Sequence, residues 1–502
     1  MATTSIASTP PPPQPPPSAF RRNARLLWLL LPRVPLMVRV AVRHALSLAE
    51  TSAHLDVRSA VTVAVLRSLC EPDPAQSISA LQRSSRRDPG VRGRIWVSTY
   101  ASPPPPEDGA REALAAALGS LRAAGEDGSG SDPSFRMPDY ALVEAEWTGY
   151  RAGAEPDSPP PGVSERAKYE ALTGECRHPT TTVLYLHGGA YMMLDPVSHR
   201  PTTKKLAKLT GGRCYSVRYR LAPAHVFPAA LLDAFVSYLT LLYPPPGAFH
   251  EPVRAEHIVV AGDSAGGNLS LALIQLLLEL RRTTTRVHWH GAARTVPLPA
   301  AAACSSPWMD LTHSAPPFAA DAPAAFDYLP KPATVARCPP APCRLWPADP
   351  PRKYLYVEHA AAAAHPLASP AAAPRWHGAP PVYLCAGWEL LGWETRFAAQ
   401  HLVRQGVRVV YEEYEAMPHC FALVLTHTPA ARRCFDSWAA FIRSAVDDPA
   451  GIQSSATGIK ARSLDQYPLR FDDLADVSHA EVCRRIALKA AEGVHPAAQA
   501  KL

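Results

Sequence analysis

From Tyr169 onward the chain alternates short apolar runs with longer stretches of helical spacing. Thr181 to Leu186, Cys214 to Tyr219, His257 to Ala261, Val382 to Ala386 and Val407 to Tyr411 read as strands. Between them, Phe227 to Leu242, Leu269 to Leu280, Arg396 to Arg404 and Ala430 to Val446 carry helical spacing. The first of these stops at Pro244-Pro245-Pro246, and Gly406 follows the third as a C-cap. Leu269 to Leu280 is almost wholly apolar, which predicts a helix buried on all sides. Strands alternating with helices predict βαβ units and a mostly parallel sheet.

Composition adds boundaries to this pattern. Apolar residues make up 47% of the chain and charged residues 19%, so a sizeable core is expected and wholesale disorder is excluded. The 502 residues include 55 prolines, about twice the usual share of ~5%. They cluster, at Pro10 to Pro13, Pro15 to Pro17, Pro103 to Pro106 and Pro159 to Pro161. With the Gly/Ser/Asp run from Gly125 to Asp132, these clusters divide the chain. Residues 1–20 are expected to form a disordered Pro-rich arm, 21–165 a basic and apolar N-terminal segment, 166–447 the α/β unit, and 448–502 a tail. The tail reads as weakly ordered, with one helical piece over Ala480 to Ala491. Within the α/β unit, about 312–380 is an Ala/Pro-rich insertion too long for a structureless loop, which predicts a cap with helical pieces.

Charge excludes some partners and leaves another open. Lys and Arg number 51 against 44 Asp and Glu, a net +7 too thinly spread to imply nucleic acid. Six arginines nevertheless precede the first acidic residue, Glu50. They flank the apolar run Leu26 to Leu31, which Pro32, Arg33 and Pro35 cut too short for a membrane span. Such a segment fits a peripheral helix on an anionic membrane, and equally a helix covering the globular domain. The N-terminus carries no clear signal peptide. Ten scattered cysteines form no paired CxxC and are too sparse for a disulfide scaffold. No metal site or cofactor is expected. The chain reads as intracellular, either cytoplasmic or peripherally attached to an internal membrane.

The most informative segment is Gly262-Asp263-Ser264-Ala265-Gly266, directly after an apolar strand and before the apolar helix. A serine on a sharp strand-to-helix turn is held in a strained conformation and needs small residues two positions either side. Its hydroxyl then stands at a helix N-terminus, which favours developing negative charge. Upstream, another strand runs into His187-Gly188-Gly189-Ala190-Tyr191. Glycines let backbone N–H groups approach a reacting oxygen, so Gly188, Gly189 and Ala265 are the expected oxyanion donors. His187 is expected to hold this loop rather than transfer protons.

An activated serine needs a base, and the base an orienting acid. After a turn of this kind they follow in the order acid, then histidine. His419 lies in a loop after the last predicted strand, whereas His401 falls in a helical pattern, His359, His365 and His377 in the insertion, and His427 near the closing helix. Glu389 follows the strand Val382 to Ala386 most closely; Glu394, five residues on, sits where a helix starts.

Together these residues resemble the hormone-sensitive-lipase-like branch of the α/β-hydrolases. His187 to Tyr191 resembles its HGGG loop, Tyr219-Arg220-Leu221-Ala222-Pro223 with Phe227-Pro228-Ala229-Ala230 its YRLAP…FPAA block, Gly262 to Asn268 its GDSAGGN elbow, and Ser306 to Leu311 its SPWxDL stretch. The resemblance implies an eight-stranded, mostly parallel sheet flanked by helices, with a helical cap supplied in part by the N-terminal residues. It implies a serine hydrolase, esterase or lipase-like, with Ser264 as nucleophile, His419 as base and Glu389 where the family usually has Asp. Asp263, His187 and Glu394 take supporting places. Three departures stand out: Ala190 for the third glycine, Glu389 for Asp, and Cys420 after the histidine where the family prefers Gly. The expected substrate is a small short-to-medium acyl ester, with a lipid or steryl ester among the candidates. A non-catalytic small-molecule binder on the same scaffold and an amide or formamide hydrolase are the alternatives.

Overall fold

The computed structural model describes residues 27–71, 75–123, 136–319, 324–337, 339–349 and 351–492. The arm over 1–20, the arginines 21, 22 and 25 and the run 125–132 lie outside them.

Twelve strands occur among the described residues: β1 Ile95–Ser102, β2 Val143–Tyr150, β3 Thr182–Leu186, β4 Arg213–Arg218, β5 Ile258–Asp263, β6 Val287–Trp289, β7 Ala292–Arg294, β8 Ala301–Ser305, β9 Val382–Gly387, β10 Val409–Tyr414, β11 Ser455–Ile459 and β12 Gln466–Pro468. Ten form one sheet in the order β1-β2-β4-β3-β5-β8-β9-β10-β11-β12, while β6 and β7 pair as a separate hairpin. Pairing is parallel from β4 through β11 and antiparallel at the β1-β2, β2-β4 and β11-β12 contacts.

The central strands are buried on both faces, and successive side chains enter different cores. Leu184, Leu186, Ile258 and Val260 point into one core, with helices Gly109–Ala123, Ala229–Leu242 and Ala265–Arg282. Val183, Tyr185, Val259 and Ala261 point into the other, closed by helices Pro196–Thr210 and Pro429–Asp447. This two-sided burial explains why the strands read as unbroken apolar runs.

The sheet exceeds the expected eight strands at one edge and begins earlier than expected at the other. β11 and β12 come from the tail, where β11 covers the outer edge of β10 that would otherwise expose unpaired backbone groups. The tail is therefore built into the sheet, and its helix runs His479–Ala491. β1 and β2 come from the N-terminal segment, so the sheet starts at Ile95 rather than near 166. Ahead of β1, the described residues of that segment include helices Val34–Ala45, Val57–Cys70 and Ile78–Ser85. In helix Ile78–Ser85, the Gln82 amide donates to Met192 O at 2.9 Å and Ala222 O at 2.8 Å. Among its described residues the insertion holds only short helical pieces, such as Pro332–Arg337 and the 3-10 turns Ala360–Ala364 and Pro370–Ala372. Among the described residues no helix is long and apolar enough to cross a membrane.

Candidate active site

β5 ends at Asp263 and the next helix starts at Ala265, so Ser264 alone makes the turn. Its φ of +54° and ψ of −121° lie where L-residues are strained, at a cost of about 1–3 kcal/mol. Sterics force small neighbours. A Cβ on Gly262 would stand 2.4 Å from Gly266 O, and one on Gly266 would stand 2.0 Å from Leu186 O. The Ser264 N–H donates to Ser305 O and the Trp308 N–H to Ser264 O, both at 3.0 Å, which ties the turn to β8 and the loop beyond.

Behind the turn, Asp263 is buried. Its carboxylate accepts from Tyr185 OH at 2.6 Å and lies 3.2 Å from His199 Nε2. Burial alone would raise its pKa, but the neighbouring His199 charge and hydrogen bond outweigh that and hold it below the usual range. His199 is correspondingly raised, because Asp263 more than offsets the burial that disfavours its charge. The pair is a buried carboxylate–imidazole contact supporting the strand ends.

The Gly188 N–H donates to Asp263 Oδ1 at 3.2 Å. This corrects its placement among the oxyanion donors, since a buried carboxylate already takes its proton. The N–H groups of Gly189, Ala190 and Ala265 have no hydrogen-bond partner among the described residues. Gly189, Ala190 and Tyr191 all have positive φ, of +109°, +51° and +60°. Ala190 thus sits strained where a glycine would not. His187 stacks on Tyr219 with ring centroids 4.2 Å apart, and its Nδ1–H donates to Gly188 O at 2.7 Å. Burial and the nearby His199 charge push its pKa down to about 4, leaving a neutral ring that braces the loop.

Glu389 lies just beyond β9 and His419 just beyond β10. The His419 Nδ1–H donates to Glu389 Oε1 at 2.8 Å. Glu389 Oε2 accepts from Ser306 Oγ at 2.7 Å and from the Gly387 N–H at 3.2 Å, so both carboxylate oxygens are engaged. Burial disfavours the charged His419 ring, but the adjacent Glu389 carboxylate overcomes this and raises its pKa above the ordinary value. Glu394, deeper in the helix Gly392–Arg404, accepts the N–H groups of Met309 (2.8 Å) and Asp310 (3.1 Å). Burial and the nearby Asp310 push its pKa well up, and its two accepted N–H bonds brace the loop after β8.

The turn at Ser264 and the loop at His419 meet through short links. The Cys420 N–H donates to Ser306 Oγ at 3.1 Å, and Ser306 follows the residue that holds the Ser264 N–H. The Ser264 hydroxyl and His419 are not hydrogen-bonded to each other here. His419 Nε2 instead lies 3.4 Å from Cys420 Sγ.

Against known proteins, the family described as alpha/beta hydrolase fold matches residues 183–423. An acetyl-hydrolase of Streptomyces hygroscopicus is 32% identical over 270 residues, which is 53% of this chain and 77% of that protein. The chain belongs to the alpha/beta hydrolase family. Within it, shorter matches include the carboxylesterase/phospholipase LipF of Mycobacterium tuberculosis, 43% identical over 95 residues, 19% of this chain and 24% of LipF. Hormone-sensitive lipase of Mus musculus is 35% identical over 94 residues, 18% of this chain and 12% of the lipase. This alpha/beta hydrolase is of the esterase and lipase type.

Three residues that shape the site carried no assigned role in the sequence. Ser306 bridges Glu389 and the Cys420 N–H. Asp327, in the insertion, accepts the His419 N–H at 3.1 Å and the Leu390 N–H at 2.8 Å. It thereby holds together the two loops bearing Glu389 and His419. Ala190 offers a free N–H where Gly188 does not. Ser306 stood within a recognisable block, whereas Asp327 stands in a low-complexity stretch with nothing nearby to single it out.

Proposed function

We propose that this enzyme hydrolyses carboxylic esters through an acyl-enzyme on Ser264, with His419 as base and Glu389 as its orienting acid. The observation that carries this reading is the 2.8 Å hydrogen bond from His419 Nδ1 to Glu389. It fixes the tautomer that leaves Nε2 unprotonated and able to take the serine proton. In the first step Ser264 Oγ attacks the ester carbonyl while Nε2 accepts its proton. The oxyanion forms against the N–H groups of Gly189, Ala190 and Ala265, at the N-terminus of the helix Ala265–Arg282. The imidazolium, stabilised by Glu389, then protonates the leaving alcohol. Water, deprotonated by the same nitrogen, releases the acid and restores Ser264.

Two relatives suggest the substrate's chemistry: one is named acetyl-hydrolase and another carboxylesterase/phospholipase. We read the acyl group as short to medium. The decisive comparison is hydrolysis of p-nitrophenyl esters from acetate to palmitate by wild type and Ser264→Ala. The expected result is a short-chain optimum lost in the variant by at least ~10⁴-fold. Ester turnover by folded Ser264→Ala at the wild-type rate would overturn the assignment. A second reading, a ligand-binding protein on this scaffold, draws on the Cys420 thiol lying against Nε2. Folded wild type that binds esters stoichiometrically without turnover would favour it, and faster cleavage of a matched anilide would favour an amidase.

A further inference from the structure

The N-terminal helix presents an apolar face that is exposed among the described residues. Leu27, Trp28, Leu31, Val34, Val38 and Val42 are all exposed, with Trp28 79%, Leu31 63% and Val38 56% accessible. From Leu27, steps of four, three, four and four residues lead through Leu31, Val34 and Val38 to Val42. That spacing keeps them on one side of a helical path.

The exposure is not loose packing. The opposite side of helix Val34–Ala45 is seated on the protein: Leu36, Met37 and Val40 are half-buried and His44 is buried. Arg33 Nε donates to Ser68 Oγ at 2.8 Å, joining this helix to Val57–Cys70. The helix is thus fixed to the body with its outer apolar stripe turned to solvent.

Charge identifies the occupant. No acidic residue occurs between Leu27 and Ala49, whereas Arg33, Arg39 and Arg43 do, and Arg21, Arg22 and Arg25 precede them. Arg39 and Arg43, one helical turn apart, are exposed beside the stripe. Long basic side chains flanking an aliphatic face, with a tryptophan at one end, match an acyl-chain layer beneath an anionic headgroup layer. A second copy of this chain would bring the same arginines against each other with no acidic partner on the segment.

We propose that this face docks the enzyme on an anionic phospholipid surface, with the helix Val34–Ala45 lying in the headgroup layer. The docked helix rests on Val57–Cys70, whose Arg67 guanidinium holds the carbonyls of Ala324, Ala325 and Asp327 beside the candidate active site. The surface therefore lies on the capped side of the molecule. This inference does not depend on the reading of the catalytic residues.

The test is co-sedimentation of the full chain with phosphatidylcholine vesicles, with and without phosphatidylserine. Wild type is expected to pellet with the phosphatidylserine vesicles and to be released by salt. V38E/V42E should lower the vesicle-bound partition at least ~tenfold, and R39Q/R43Q should lower it by roughly tenfold on phosphatidylserine vesicles. Both variants should keep the wild-type melting temperature and activity on a water-soluble ester. Wild type left in the supernatant, or V38E/V42E binding like wild type, would overturn the proposal. So would a wild-type dimer that V38E/V42E splits with no vesicle uptake, because it assigns the face to a second copy.

Discussion

Cys420 has a φ of +48°, a conformation glycine takes freely and cysteine does not. Its thiol lies against His419 Nε2, the nitrogen a serine proton must reach. Burial and the Asp263 charge push the thiol's pKa well up, so it stays protonated and competes as a weak donor. Cys420→Gly should relieve the backbone and free Nε2, raising kcat on a short ester by about two- to tenfold. Unchanged steady-state kinetics would show that the thiol does not compete. The Glu389 carboxylate raises the His419 pKa, and the base must be neutral to act. The acidic limb of kcat/KM should therefore lie above the ordinary imidazole value of about 6.5. In Glu389→Gln burial still disfavours the imidazolium and only the weaker Asp327 and Asp263 charges oppose it, so the limb should move to lower pH while the rate falls by about 10³–10⁴-fold. A pH profile of each enzyme reads both effects. At this scale Ser264 was legible because sterics tie its conformation to Gly262 and Gly266. The proposed choice of Ala190 over Gly188 as donor was not, because it depends on where the Asp263 carboxylate points.

The elements divide in the same way. Strands with branched side chains on both faces, such as β3 and β5, announce themselves. β8 reads Ala-Ala-Ala-Cys-Ser and carries no strand signal; it exists because β5 and β9 flank it and leave room only for small side chains. β11, Ser-Ala-Thr-Gly-Ile, is likewise made a strand by the edge of β10. The insertion around Asp327 is held from outside: Arg67 in Val57–Cys70 donates to Asp327 O at 3.0 Å and Ala324 O at 2.8 Å. Asp327 in turn accepts the His419 and Leu390 N–H groups. Asp327→Ala leaves both donors unpaired in a buried site, at about 1–3 kcal/mol each. Its kcat should fall by roughly 10- to 100-fold, the cost of a misplaced base. A kcat within about twofold of wild type would mean that β9 and β10 position these loops unaided.

Over the described residues, the N-terminal helices and the tail are both joined to the middle of the chain. The N-terminal helices sit on the loops after β3, while the tail adds two strands and packs its last helix against the insertion. His479 stacks on His401 with centroids 4.4 Å apart, and Lys353 Nζ donates to Glu492 O at 2.9 Å. Truncation after Asp447 exposes the β10 edge and removes the buried Ile452, Ile459, Val482 and Ile486. At about 1.5–3 kcal/mol for each buried aliphatic side chain, the truncated chain should be insoluble or melt at least ~10 °C lower. A wild-type melting curve would show the tail to be dispensable. The low apolar content of 455–468 hid this role, since edge strands need little hydrophobic signal once a neighbour supplies the pairing.

The proposed reaction turns on covalent acylation of Ser264. The most direct measurement is labelling of the full-length protein with a fluorophosphonate, followed by intact mass and peptide mapping. One adduct per chain is expected, on Ser264, abolished in Ser264→Ala and slowed strongly in Glu389→Gln. An active enzyme that takes no adduct, or takes it on another residue while Ser264 stays unmodified, would contradict it.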